Sequence, residues 1–254
     1  MNYCRIIPCL DVKDGRLVKG VNFVNLNDIG DPAESAAAYS KAGADELIIL
    51  DITATIEKRK TLLETVKKTI AVVSIPLTVG GGINSIDDIR ELLATGVSRV
   101  SINTAAVRNP ELLRQAMLEF GQERIVVAVD TRRSPNMPSG FEVMIGGGKE
   151  PSGLDVVEWV RKAEDLGAGA ILPTSMDTDG RQEGYDLSMI RAVAEAVRIP
   201  VIASGGAGTL EHLYDAVTKG KADAVLVASI AHYGKYTVRQ MKEYLAKRGI
   251  TVRL

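Results

Sequence analysis

The sequence predicts an α/β chain folded as a (β/α)8 TIM barrel made of two similar half-barrels. Three observations predict it. Eight short runs rich in β-branched and aliphatic residues alternate with eight segments of helical periodicity along 254 residues, a usual length for such a barrel. Aromatics make up only 4% of the chain and glycines number 24, which suits buried parallel strands joined by tight turns. Finally, Gly43, Gly81, Gly82 and Gly96 recur 124 positions later as Gly167, Gly205, Gly206 and Gly220. A doubly wound open sheet gives no reason for eight units, whereas duplication of a four-strand half explains both the number and the register.

In order, the first half opens with strand Arg5–Val12, then a long stretch from Lys13 to Gly30, expected to be a mobile loop with glycines at 15 and 20. Helix Pro32–Ala42 ends at Gly43. Strand Glu46–Asp51 leads to helix Glu57–Ala71, and strand Pro76–Val79 to helix Ile86–Ala94, which Ser85 and Asp88 open as a capping box and Gly96 closes. Strand Arg99–Asn103 precedes helix Pro110–Glu119, with Asn109 as cap and Pro110 as first helical residue. The second half repeats the pattern: strand Ile125–Asp130, a small rim hairpin within Thr131–Ser152 around Phe141–Ile145, and helix Gly153–Leu166 ending at Gly167. Strand Ala170–Thr174 with helix Leu187–Ala196, strand Pro200–Ser204 with helix Leu210–Thr218 and Gly220, and strand Ala222–Ala228 with helix Val238–Lys247 and Gly249 complete it. Residues 1–254 are expected to form a single domain.

Charge and sequence pattern exclude several function classes. With 31 basic and 32 acidic residues the net charge is −1, without the cationic surplus that nucleic-acid or membrane-surface binding needs. No apolar run approaches the roughly 20 residues of a membrane span, and the N-terminus lacks a secretory pattern, so a soluble cytoplasmic protein is expected. Cys4 and Cys9 lie too far apart along one strand to bridge and are expected to be reduced. His212 and His232 are too few for a metal site and are expected to be structural, like Trp159 and Met176 in packing. No metal and no cofactor is expected.

Barrel enzymes carry their sites at the C-terminal ends of the strands. Two features stand out there. Asp11 and Asp130 end the first and fifth strands, which oppose each other; one protonated and one ionised carboxylate supply an acid and a base without metal. Asp51, at the end of the second strand, reads as a loop anchor. Glycine-rich turns follow the third and seventh strands, at Gly80–Gly82 and Gly205–Gly208, where consecutive N–H groups can converge on an anion. Asn103-Thr104 and Ala228-Ser229 in the next units add donors beside them. Neither turn has a dinucleotide or Walker spacing, and two opposed anion sites imply an elongated ligand with a phosphate at each end. Lys19 is placed to meet phosphate from the loop.

The runs Arg5-Ile-Ile-Pro-Cys-Leu-Asp11 to Phe23, Leu50-Asp-Ile-Thr53 with Glu57–Lys60, Thr78-Val-Gly-Gly-Gly-Ile83, Ser101-Ile-Asn-Thr-Ala-Ala106, Thr174–Gly180, Gly184-Tyr-Asp186 and Ile202–Gly208 resemble the cyclase subunits of imidazole glycerol phosphate synthase, the HisF family. The resemblance spans essentially the whole chain. It implies that ammonia attacks the phosphoribulosyl-formimino-aminoimidazole carboxamide ribonucleotide, giving imidazole glycerol phosphate and the aminoimidazole carboxamide ribonucleotide. It implies Asp11 and Asp130 as the acid–base pair, and Lys19 as the loop lysine. Gly82, Asn103 and Thr104 would form one phosphate site, and Asp179, Gly180, Gly206, Ala228 and Ser229 the other side of the mouth. It also implies a glutaminase subunit (HisH) as a heterodimer partner on the N-terminal face, its ammonia entering past Arg5, Glu46 and Arg99.

Several positions depart from the pattern. Ala170 stands where the entrance ring usually has a second acid, Arg99 where it has Lys, and Ser98 where an Asp commonly meets the partner. Pro173 replaces a usual Leu, and Thr178 and Arg181 deviate in the turn from Asp177 to Gln182. These changes bear on docking and gating more than on chemistry. Two alternatives stand beside the cyclase: the sister barrel isomerase of the same pathway, which Asp130-Thr-Arg132 faintly resembles, and a phosphate-binding paralogue without catalysis.

Overall fold

The computed structural model describes residues 3–21, 24–52 and 59–254, apart from the side chains of 19–21, 24–26 and 59–61. Its strands are β1 (Arg5–Lys13), β2 (Arg16–Val21), β3 (Val24–Gly30), β4 (Leu47–Asp51), β5 (Leu77–Gly80), β6 (Arg99–Ile102), β7 (Ile125–Arg133), β8 (Phe141–Ile145), β9 (Glu150–Asp155), β10 (Ala170–Ser175), β11 (Ile202–Ala203) and β12 (Ala224–Val227). The helices are α1 (Pro32–Lys41), α2 (Arg59–Ile70), α3 (Ile86–Ala94), α4 (Thr104–Arg108), α5 (Glu111–Phe120), α6 (Val156–Asp165), α7 (Leu187–Ala194), α8 (Leu210–Thr218), α9 (Ser229–His232) and α10 (Val238–Lys247). None of those described is long and apolar enough to cross a membrane.

The molecule is a (β/α)8 barrel. Parallel pairing runs from β11 through β12, β1, β4, β5, β6 and β7 to β10. Between β10 and β11 the ladder is reduced to two bridges, Ile171 with Val201 and Thr174 with Ser204. Pro173 explains the gap. The Ile171 N–H donates to the Pro200 carbonyl at 2.9 Å, so in a parallel ladder the next donor facing β11 belongs to residue 173, which has none.

Alternation along each strand sorts side chains into two cores. Ile6, Leu10, Leu47 and Ile49 face the helices, while Ile7, Cys9, Ile48, Val126, Ala170, Leu172, Ile202, Ala224 and Leu226 fill the barrel axis. The same parity turns Asp11 and Asp130 inward at the top of β1 and β7, two residues beyond Cys9 and Ala128. At the bottom it turns Arg5, Glu46 and Arg99 toward the same axis.

The half-barrel repeat is physical as well as textual. Gly43, Gly81, Gly82, Gly167, Gly205 and Gly206 all have φ between 64° and 103°. A Cβ on Gly81 would collide with the Asp51 carbonyl oxygen, and one on Gly205 would stand 3.1 Å from that of Ser175, which is Asp51 shifted by the same repeat. Gly220 breaks the expectation. It does not have positive φ; Lys221 takes the left-handed conformation instead (φ 60°), and Gly220 is needed because a Cβ there would press on the Ala216 carbonyl at 2.6 Å.

Most predicted elements sit within two residues of their expected ends, and the Ser85–Asp88 capping box is present. The fifth barrel strand, β7, runs three residues past its expected end, to Arg133, and three other expectations change. Residues 153–155 extend β9, so α6 starts at Val156 with Asp155 as its cap. Pro110 stands at the cap position of α5 rather than inside it, since Asn109 offers its carbonyl, not its side chain, to Leu112. The stretch after β1 is a ribbon rather than a loop: β2 pairs antiparallel with the overhang of β1 at Val12 and Lys13, and β3 with β2. The rim hairpin is present, with β8 antiparallel to both β7 and β9. Glu57 and Lys58 of the expected second helix, Thr53, and Asn22-Phe23 lie outside the described residues.

Candidate active site

A cavity of about 740 Å³ opens at the C-terminal ends of the barrel strands. Of the residues expected there, Asp11, Gly82, Asn103, Thr104, Asp130, Asp179 and Ala228 line it. Gly180, Gly206 and Ser229 line a smaller pocket beside it, which shares Asp179 and Ala228. Both acids and both glycine turns thus meet in one mouth. Lys19 lies in β2 opposite Asn27, its side chain outside the described residues. Asp51, read as a loop anchor, lines the same cavity as the two acids.

The two acids sit in different surroundings. Asp11 is 6% exposed, and the Cys9 thiol donates to its Oδ1 at 3.7 Å. Asp130 accepts from Asn103 Nδ2 at 3.0 Å. Burial pushes Asp130 up from 3.8 to about 6; the Asn103 hydrogen bond pulls the other way, and the charge of Asp179 adds to the rise. A carboxyl of this kind changes protonation close to neutral pH, as acid–base work requires. Asn103, expected at a phosphate, therefore orients an acid with its amide nitrogen. Its Oδ1 and the Ser101 hydroxyl are buried without a partner among the described residues.

A test of this arrangement follows from the sign of the Asn103 contribution. Asn103→Ala removes a donor that favours the carboxylate, so Asp130 should hold its proton to higher pH. The acidic limb of the kcat/KM profile should move upward from about 6. An unmoved limb would show that Asp130 does not control it.

The two glycine-turn sides of the mouth share their backbone design. Asn103 (φ −120°, ψ −95°) precedes α4, and Ala228 (φ −130°, ψ −87°) precedes α9. In the second half Thr178 Oγ1 donates to the Gly205 carbonyl at 3.2 Å, which ties the turn after β10 to the glycine turn after β11. The Arg133 amide donates to Asp177 Oδ2 at 2.8 Å, joining the rim hairpin to the same turn. His212 accepts from the Gly208 amide through Nδ1 (3.1 Å), His232 bonds Tyr39 and the Cys9 carbonyl (2.8 Å each), and Trp159 is buried. Among the described residues no three His, Cys, Asp or Glu side chains group as metal ligands.

At the N-terminal end of the axis Glu46 is clasped by two guanidiniums. Arg5 Nη1 takes Oε1 and Arg99 Nη1 takes Oε2, both at 2.7 Å. Ala170 lies inside the barrel wall, 4% exposed.

The family model for histidine biosynthesis proteins matches residues 5–237, from the first residue of β1 to the cap of α10. The match covers nearly the whole of a barrel with opposed acids and paired glycine turns at one mouth, and this chain belongs to the histidine biosynthesis family of barrel enzymes.

Proposed function

We propose that this enzyme is the cyclase of the family, joining ammonia to the phosphoribulosyl-formimino-aminoimidazole carboxamide ribonucleotide and releasing imidazole glycerol phosphate and the aminoimidazole carboxamide ribonucleotide. The observation that carries the reading is the pairing of two acids at one end of an apolar axis with a charged clasp at the other. The apolar side chains of Ile7, Ile48, Val126 and Leu172 along the axis penalise neutral ammonia far less than a charged nucleophile. The glutaminase partner would dock on the face of the Arg5–Glu46–Arg99 clasp and deliver ammonia through it.

In this reading the glycine turns hold the substrate's two phosphates by backbone N–H groups, with Lys19 covering it from the ribbon. The reacting carbons then lie between Asp11 and Asp130. Imine formation and ring closure need protons removed and returned, and cleavage needs one for the leaving amine, so the pair exchanges roles during turnover. Asp130, tuned to about 6, is suited to both directions.

Steady-state assays with ammonium salts, then with glutamine and a glutaminase subunit, test the reading. Turnover of the ribulosyl compound with ammonia is the expected result. Turnover with ammonia but not glutamine would place a defect at the clasp face, where Ser98 and Ala170 depart from the family. Isomerisation of the ribosyl precursor without ammonia would favour the sister isomerase, and phosphate binding with neither activity the non-catalytic paralogue.

A further inference from the structure

The two anion sites share a backbone but differ in charge. Thr104 and Arg108 lie four apart on the single turn of α4, and both line the large cavity. The repeat that carries Asn103-Thr104 onto Ala228-Ser229 carries Arg108 onto Tyr233, which is 61% exposed and lines neither pocket. A second cation reaches the first site from the rim hairpin. The Gly146 amide donates to Thr104 Oγ1 at 3.0 Å, fixing the β8–β9 turn over α4, and Lys149 three residues on also lines the cavity. At the second site Asp179 is the only charged residue among the described lining. The nearby Lys235 ammonium is held by the Gly208 carbonyl at 2.5 Å.

We infer that Arg108 and Lys149 bind one phosphate of the ligand and make its two ends unequal: the end at Gly82, Asn103 and Thr104 is an electrostatic anchor, and the end at Gly180, Gly206 and Ser229 is held by neutral donors. This deepens the proposed function and rests on its two-phosphate ligand. Arg108 Nη2 makes a long, exposed ion pair with Glu150 Oε2 (3.3 Å). A phosphate dianion offers the guanidinium a two-pronged acceptor and outcompetes that carboxylate. Glu150 therefore sets how available Arg108 is.

Calorimetric titration with inorganic phosphate at low and moderate salt tests this without any turnover. The native protein should show one tighter, salt-sensitive site and one weaker, salt-insensitive one. Arg108→Gln with Lys149→Gln should weaken the tighter site at least about tenfold and leave the other, whereas Glu150→Gln should strengthen it about two- to fivefold. Of the two products, each with a single phosphate, one should lose affinity in the double variant and the other keep it; with the full substrate the loss should fall on KM. Two equal sites in the native protein, unchanged affinity in the double variant, or weaker binding in Glu150→Gln would overturn the inference. Absent cyclase turnover with this binding pattern intact would count against the proposed reaction alone.

Discussion

Asp130→Asn should lower turnover of the ribulosyl substrate by at least about a hundredfold, the lower end of what a positioned acid–base group contributes, while substrate affinity stays near native. The same substitution should make the protein more stable. Asp130 holds its proton to about pH 6 in the folded state against 3.8 when unfolded. The native state therefore binds more protons between those values, and stability falls as pH rises through that window. Above pH 6 the half-buried carboxylate costs the fold on the order of 1–3 kcal/mol, which asparagine removes while still accepting from Asn103. Thermal unfolding should show the variant several degrees above native at pH 7.5 and close to it at pH 4. Asp11→Asn should lose turnover equally. Full activity in the double variant would sink the acid–base assignment, and an Asp130→Asn melting point no higher than native would show that Asp130 carries no such strain.

The second large effect lies at the opposite end of the barrel. Lys242 is 4% exposed on the apolar face of α10; its Nζ donates to Asp45 Oδ1 at 2.8 Å and to the Arg253 carbonyl at 2.7 Å. Asp45, 2% exposed, also accepts from the Ile6 amide at 2.9 Å, so one buried pair fastens the last helix and the C-terminus to β1. Lys242→Met leaves a buried carboxylate whose nearest remaining cation among the described residues is the exposed Arg253 guanidinium, 3.6 Å away, and should cost about 3–5 kcal/mol of unfolding free energy. Adding Asp45→Asn should restore much of the loss, because the uncompensated charge disappears while an amide oxygen can still accept from Ile6. Denaturant titration of the single and double variants measures both. A double variant weaker than the single would mean that the charge itself is not the problem.

These features differ in how far the sequence discloses them. The strands, the main helices and the repeat are legible because periodicity and glycine punctuation are local signals. So are Asp11, Asp130 and the glycine turns, since a barrel puts every strand end at one mouth. The ribbon β2–β3 is missed because its glycines, Asn25, Asn27 and Asp28 read as loop punctuation and its register depends on the overhang of β1. The hold of Asn103 on Asp130 depends on two adjacent strand ends whose side chains converge, which spacing along the chain does not encode. The Asp45–Lys242 pair joins residues nearly the whole chain apart. One trace of it is visible: Val238, Met241, Lys242 and Leu245 form a helical stripe that is apolar except for the lysine.

Pro173 has a mechanical consequence. A barrel resists distortion as a hoop does, with shear shared around the circumference, and this hoop has one thin section where β10 meets β11. There the wall is joined by two bridges and the Thr178–Gly205 bond rather than by a continuous ladder. The thin section lies beside the second glycine turn and the turn from Asp177 to Gln182, while the opposite rim is braced by the hairpin on Thr104. The mouth therefore has one rim built on a continuous amide ladder and another held by two bridges and the Thr178–Gly205 bond.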